Sequence, residues 1–138
     1  MLGAQPSLLL PHEVAVGRPA LGHNRPVKLE VASYAVASLR RNEKDWVTMA
    51  RLAVYNVMNG NVEEGLAGIR TAVTEGAFLD EVHYYNAVIL AQLGQDAPAL
   101  DALQQAIDRG YPVRSIAADP QFIEFRSDAR FARMIEEQ

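Results

Sequence analysis

Cysteine is absent from this chain of 138 residues, which removes a disulfide framework, a thiol nucleophile and a cysteine-based zinc site from consideration. Histidine is scarce. His12, His23 and His83 are the three present, and only His83, with Asp80 or Glu81 nearby, approaches a ligand spacing, far short of three or four converging donors. His83 is expected to pack inside a helical hairpin with its polar tip near water, and no metal is expected. A glycine-rich phosphate loop ending in Lys-Ser/Thr is missing, as is a Gly-x-Ser-x-Gly elbow. Ser115 and Tyr111 have no evident base, so neither an enzyme nor a cofactor is expected. Apolar runs are far shorter than the roughly 20 residues of a membrane span. Leu8, Leu9 and Leu10 follow no basic start and are too few for a secretory signal. No membrane partner is expected, and the cytoplasm is the default compartment.

What is present is an ordinary soluble balance, 49% hydrophobic and 22% charged, with length for one core rather than two. The net charge of −4 is unevenly spread: residues 1–41 carry five basic and two acidic groups, residues 42–111 four basic and ten acidic. An acidic body repels a phosphate backbone, which argues against nucleic acid.

Gly60 and Gly94 lie 34 residues apart, and that interval superimposes similar residues throughout 45–111. Ala53 meets Ala87, Val54 meets Val88, Leu66 meets Leu100, Ile69 meets Leu103, Ala72 meets Ala106 and Val73 meets Ile107. A fixed period of this length marks stacked helix-turn-helix units, each burying its apolar face on the next. The spacing predicts helices from Asp45, as cap, to about Met58; from Val62 to Thr74; from Asp80, again as cap, to Leu93; and from Ala97 to Arg109, with Pro98 tolerated in the first turn. Asn59-Gly60-Asn61, Gly94 and Gly110-Tyr111-Pro112 are the stops.

Before them, residues 1–26 hold Pro6, Pro11, Pro19 and Pro26 and read as an extended arm or linker. Residues 27–41 read as a helix, with Ala32, Ala35 and Leu39 at packing positions. After the repeats, Asp119-Pro120 starts a helix with Phe122, Ile123 and Phe125 on its apolar face. Ser127 or Asp128 starts another carrying Phe131, Met134 and Ile135. These aromatics are expected to cap the fourth helix, and Arg126, Arg130 and Arg133 to pair locally with Glu124, Asp128 and Glu137.

These residues resemble the tetratricopeptide repeat. The first copy offers Met49, Leu52 and Ala53, then Gly65, Ile69 and Ala72. The second offers His83, Asn86, Ala87 and Leu90, then Ala99, Leu103 and Ala106. Departures are Asn56 for an aromatic, His83 and Asn86 for apolar residues, and Ala77 where a proline would close the first copy. The resemblance implies an all-α fold in which antiparallel hairpins, at 45–77 and 79–111, stack as a short right-handed solenoid. A degenerate half-repeat at 27–41 and a capping tail at 112–138 would complete a domain of residues 27–138. The tail itself, through Gly110-Tyr111-Pro112, Asp119-Pro120-x-Phe122 and Arg126-Ser127-Asp128-x-Arg130-Phe131, is similar to those closing repeat arrays in bacterial multidomain signalling proteins of kinase or cyclase type.

The resemblance further implies a non-enzymatic module that binds a protein or peptide along the concave side lined by the first helix of each hairpin. The residues it places there are Val47, Ala50, Val54, Val57 and Met58, then Tyr84, Val88, Ala91 and Gln92. They form an apolar trough, without the Lys and Asn pattern that clamps a terminal carboxylate, suited to an amphipathic helix or an extended apolar segment. The alternative for these residues is internal core, covered by the N-terminal arm or by residues 27–41. The alternative for the whole chain is a regulatory or self-association domain of a larger signalling enzyme. Two repeats with caps fall near the minimum for independent stability, which leaves a homodimer open.

Overall fold

The Asp45 carboxylate takes the backbone N–H of Thr48 at 3.1 Å and its hydroxyl at 2.7 Å, and the first long helix begins immediately after it. In the computed structural model, which describes residues 35–37, 39, 42 and 44–136, this helix, α1, spans Trp46–Met58. It is followed by α2 (Val62–Glu75), α3 (Asp80–Gln92) and α4 (Asp96–Asp108). Then come a short α5 (Val113–Ala118), a 3-10 segment over Pro120–Phe125, and α6 (Ala129–Glu136). Every regular element among the described residues is helical, so the described fold is all-α. The N-terminal arm expected at 1–26 lies outside the described residues. Of the half-repeat expected at 27–41, Ala35, Val36, Ala37 and Leu39 are described, and all four are helical.

The turns that end α1, α3 and α4 share one design. Gly60, Gly94 and Gly110 adopt φ of 91°, 79° and 106°, a left-handed conformation that costs a residue with a Cβ but not glycine. Each reversal closes with the same pair of backbone bonds. After α1, Asn61 N–H donates to the Asn56 carbonyl at 2.8 Å and Gly60 N–H to that of Val57 at 3.1 Å. After α3, Gln95 donates to Leu90 at 2.9 Å and Gly94 to Ala91 at 3.0 Å. Tyr111 to Ala106 and Gly110 to Ile107 repeat the pattern after α4, at 2.9 and 3.0 Å. These bonds satisfy carbonyls that the helix leaves without partners.

The short reversals lay α1 along α2 and α3 along α4, while α1 also packs on α3, and α2 touches α3. Close approach within the first hairpin depends on Gly65. A methyl group there would come within 2.5 Å of Val57 Cγ2 and 2.8 Å of the Ala53 carbonyl oxygen. At the other end of that hairpin Trp46 lies against Gly76, whose missing side chain leaves room for the indole. The core then fills with Val57, Ile69, Val82, Ile89, Leu103, Ile116 and Phe122, joined by the fully enclosed Ala50, Ala72, Ala87 and Ala99. Each large apolar side chain buried in this way contributes on the order of 1.5–3 kcal/mol.

Several local expectations need correcting. Asp80 is the first residue of α3 rather than its cap; Leu79 holds the cap position in extended backbone and no side chain bonds there. The turn is closed instead by Leu79 N–H to the Gly76 carbonyl at 2.9 Å. Asp80 is left to favour the helix dipole along with Glu81. The Asp119-Pro120 start forms as expected, Asp119 Oδ1 taking Gln121 N–H at 2.9 Å, but the segment winds as a 3-10 turn. At α6, Asp128 Oδ1 accepts from the backbone of both Arg130 and Phe131. Arg130 does not pair locally: its guanidinium meets Asp101 on α4 at 2.6 Å, which ties α6 to the repeat body. Arg126 donates to the Ala117 carbonyl at 3.2 Å. Glu137 lies outside the described residues.

Candidate interaction surface

The face expected to bind a partner runs along α1 and α3. On α3, Tyr84, Val88, Ala91 and Gln92 follow one another at the helical spacing that puts side chains on one side. Val88, Ala91 and Gln92 are buried there. Tyr84 is half-buried, and what lies on it is the chain's own tail. The Tyr84 hydroxyl donates to Asp119 Oδ2 at 2.5 Å. Its ring stacks on Tyr111, with centroids 4.7 Å apart and planes within 7°, and meets Phe122 edge to face at 6.0 Å.

From Phe122 the aromatic contacts continue to Phe125 at 6.1 Å and from there to Phe131 at 6.0 Å. One connected series of rings therefore runs from α3 into α6. Offset and edge-on ring pairs of this kind add about 0.5–1.5 kcal/mol each beyond the area they bury. The 3-10 segment over Pro120–Phe125, capped by Asp119, therefore packs at Tyr84 on the face expected to bind a partner.

On α1, Ala50, Val54 and Val57 are buried, whereas Val47 and Met58 are half-buried and rest against the core. The nine residues are therefore not equivalent. Six are interior, and Val47, Met58 and Tyr84 keep part of their surface in solvent.

Beside them stands a group that the apolar pattern did not single out. Arg51 Nε donates to the Tyr85 hydroxyl at 3.2 Å, and its guanidinium lies 5.7 Å from the centre of that ring. Tyr85 in turn meets Tyr84 edge to face at 5.1 Å. Position 85 is position 51 advanced by the 34-residue interval of the sequence, so residues that the interval makes equivalent touch between the two hairpins. The interval held the signal for this contact; an arginine facing a tyrosine merely did not look like a repeated position.

Desolvation governs the hydroxyls. Burial, then the bond to Asp119, drives Tyr84 far above the usual tyrosine range. Burial, then the neighbouring Tyr85 and Asp119, pushes Tyr111 up to about 12. Tyr55, one turn after Arg51, is also raised by burial. The hydrogen bond to Tyr85 raises Arg51 in its turn. These groups remain protonated at neutral pH; Tyr84 and Arg51 act as donors, and the rings as packing surfaces.

His83 departs from expectation too. It is buried, and Nε2 lies 2.7 Å from the Ala77 carbonyl oxygen instead of reaching water. Arg109 Nε donates to the same oxygen at 2.7 Å, so one carbonyl joins the α2–α3 loop to α3 and to the end of α4. Among the described residues no three His, Asp or Glu side chains are placed to hold a metal ion, and no helix is long and apolar enough to cross a membrane. No family model, curated protein or solved structure matches the chain.

Proposed function

We propose that this chain is a tetratricopeptide-like protein-interaction module, non-enzymatic, that holds a helical or apolar segment against the face formed by α1 and α3. The recurrence supports the repeat assignment: identical closing bonds after α1 and α3, and Arg51 touching its counterpart Tyr85. The observation that carries the binding role is the seating of the tail. A short segment offering a carboxylate and an aromatic ring, Asp119 and Phe122, already lies on Tyr84 through a hydrogen bond and an edge-to-face contact. A face that accommodates such a segment in cis has the chemistry to take a similar one in trans, where Val47, Met58, Arg51 and Tyr85 keep exposed surface.

The test is a displayed library of helical and extended peptides panned on the intact chain, followed by NMR shift mapping of the selected peptide. Shifts centred on Val47, Arg51, Met58 and Tyr85 are expected. Shifts confined to the outer faces of α2 and α4, around Arg70 and Asp108, would overturn the assignment.

A further inference from the structure

Phe78 leaves 71% of its surface in solvent, although the loop that carries it is held firmly. The carbonyl of Ala77, one residue earlier, receives Arg109 Nε and faces His83 Nε2, each at 2.7 Å. Gly76 before it is buried under Trp46, and Leu79 after it closes back on the Gly76 carbonyl. A large apolar side chain fixed outward on a pinned loop loses little conformational freedom when it binds, which is the property of an interface anchor. On either side stand Glu75 and Asp80, neither with an ion pair among the described residues.

An open, mainly apolar groove lies on the same molecule. Between α5 and α6 opens a groove of about 500 Å³ lined by Pro112, Val113, Ala117 and Ile135, with Arg114 in its wall. Arg114 likewise has no ion pair among the described residues. The groove offers room for a ring and a positive charge for a carboxylate beside that ring.

We propose that the chain associates with a second copy of itself, Phe78 of one copy entering the groove of the next while Glu75 or Asp80 meets Arg114. Charge complementarity selects this occupant. The anchor is flanked by two carboxylates and the groove by one guanidinium; Arg109, bonded to the Ala77 carbonyl, offsets one of those carboxylates and leaves the loop acidic. Such a contact is reciprocal in a two-fold dimer or, where it is not reciprocated, closes as a ring or propagates as a chain of copies. The proposal does not depend on how the α1–α3 face is used.

Sedimentation velocity on the full chain across a concentration series, at low and at high salt, tests it. Concentration-dependent association that weakens with salt is expected. Phe78→Ala should weaken it by about tenfold or more, and Arg114→Glu should do likewise. Arg114→Glu combined with Glu75→Arg and Asp80→Arg should restore it. Both Phe78 and Arg114 are exposed, and circular dichroism should show all variants folded. A chain monomeric at about 1 mM and low salt, the weak end of specific affinity, would overturn the proposal. So would an oligomer indifferent to Phe78→Ala and Arg114→Glu.

Discussion

Arg51 and Tyr85 occupy the same position of successive hairpins, and the Arg51 Nε donates to the Tyr85 hydroxyl at 3.2 Å while its guanidinium lies 5.7 Å from the ring centre. The repeat thus supplies both halves of its own inter-hairpin contact, by placing a cation at a position in one copy and an aromatic acceptor at that position in the next. Two terms act there, a hydrogen bond and a cation–ring attraction, and they can be separated. Tyr85→Phe keeps the ring and should cost about 0.5–1 kcal/mol, since a half-exposed hydrogen bond is readily replaced by water. Tyr85→Ala removes the ring from Arg51 and Tyr84 together and should cost about 2–3 kcal/mol. Urea unfolding of the two variants measures both; equal losses would assign the contact to the hydroxyl alone.

The two glycines of α2 should respond in opposite directions. Gly65→Ala would thrust a methyl group to within 2.5 Å of Val57 Cγ2 and 2.8 Å of the Ala53 oxygen. The second neighbour is backbone and cannot step aside. Overpacking of roughly 1–3 kcal/mol should outweigh the roughly 1 kcal/mol that alanine gains over glycine inside a helix. At Gly68 the methyl group would meet Ala53 Cβ at an ordinary 3.5 Å, so Gly68→Ala should stabilise the protein by up to about 1 kcal/mol. Thermal melts of the two variants, one below and one above the parent, are the expected result.

The repeat helices were legible because their signals are local. Apolar spacing, the Asp45 cap and the stopping glycines all act within a turn or two, and α1 to α4 fall within two residues of their expected limits. Asp80 has the composition of a cap but not the role, because composition cannot distinguish a carboxylate that bonds a free amide from one that only faces the helix dipole. His83 found the Ala77 carbonyl, and Arg130 found Asp101 across 29 residues; both partners lie on other elements. The tail's place on Tyr84 was hidden for the same reason. The apolar pattern of Tyr84, Val88 and Ala91 shows that something covers that face, but the covering element is fixed by where the chain goes after Gly110.

Alkaline titration should show the strength of that tail contact. Tyrosine in an unfolded chain ionises near pH 10, whereas Tyr111 is held up to about 12 and Tyr84 is raised as well. Above pH 10 the unfolded state therefore releases protons that the folded state keeps, so stability is fully present below pH 10 and is lost as the pH rises through about 12. Phenolate absorbance should titrate in two stages, the later one coinciding with loss of helical circular dichroism. Tyr84→Phe should diminish the later stage and cost about 1–2 kcal/mol at neutral pH, because Asp119 Oδ2 loses its donor. A single stage near pH 10 with the fold intact would show that the hydroxyls are not enclosed by the tail.

The division of the α1–α3 face into interior and half-buried residues leads to the last expectation. Val88 retains 5% of its exposure and Val54 8%, and both belong to the continuous core. Val88→Glu would place a carboxylate among apolar side chains without a partner, a cost of several kcal/mol that exceeds much of a small domain's stability. The domain should lose its helical signal and its cooperative melt together. Val47→Glu differs. Val47 is half-buried and is the second residue of α1, where a carboxylate is favoured by the dipole and can turn to solvent. That variant should melt within about 1 kcal/mol of the parent, as surface changes generally do, yet bind a selected peptide at least about tenfold more weakly, because the carboxylate must then be desolvated against an apolar ligand. Circular dichroism beside titration of the peptide gives both readouts. A folded Val47→Glu protein with undiminished affinity would remove the start of α1 from the binding face, and the same outcome at Met58→Glu would remove its end.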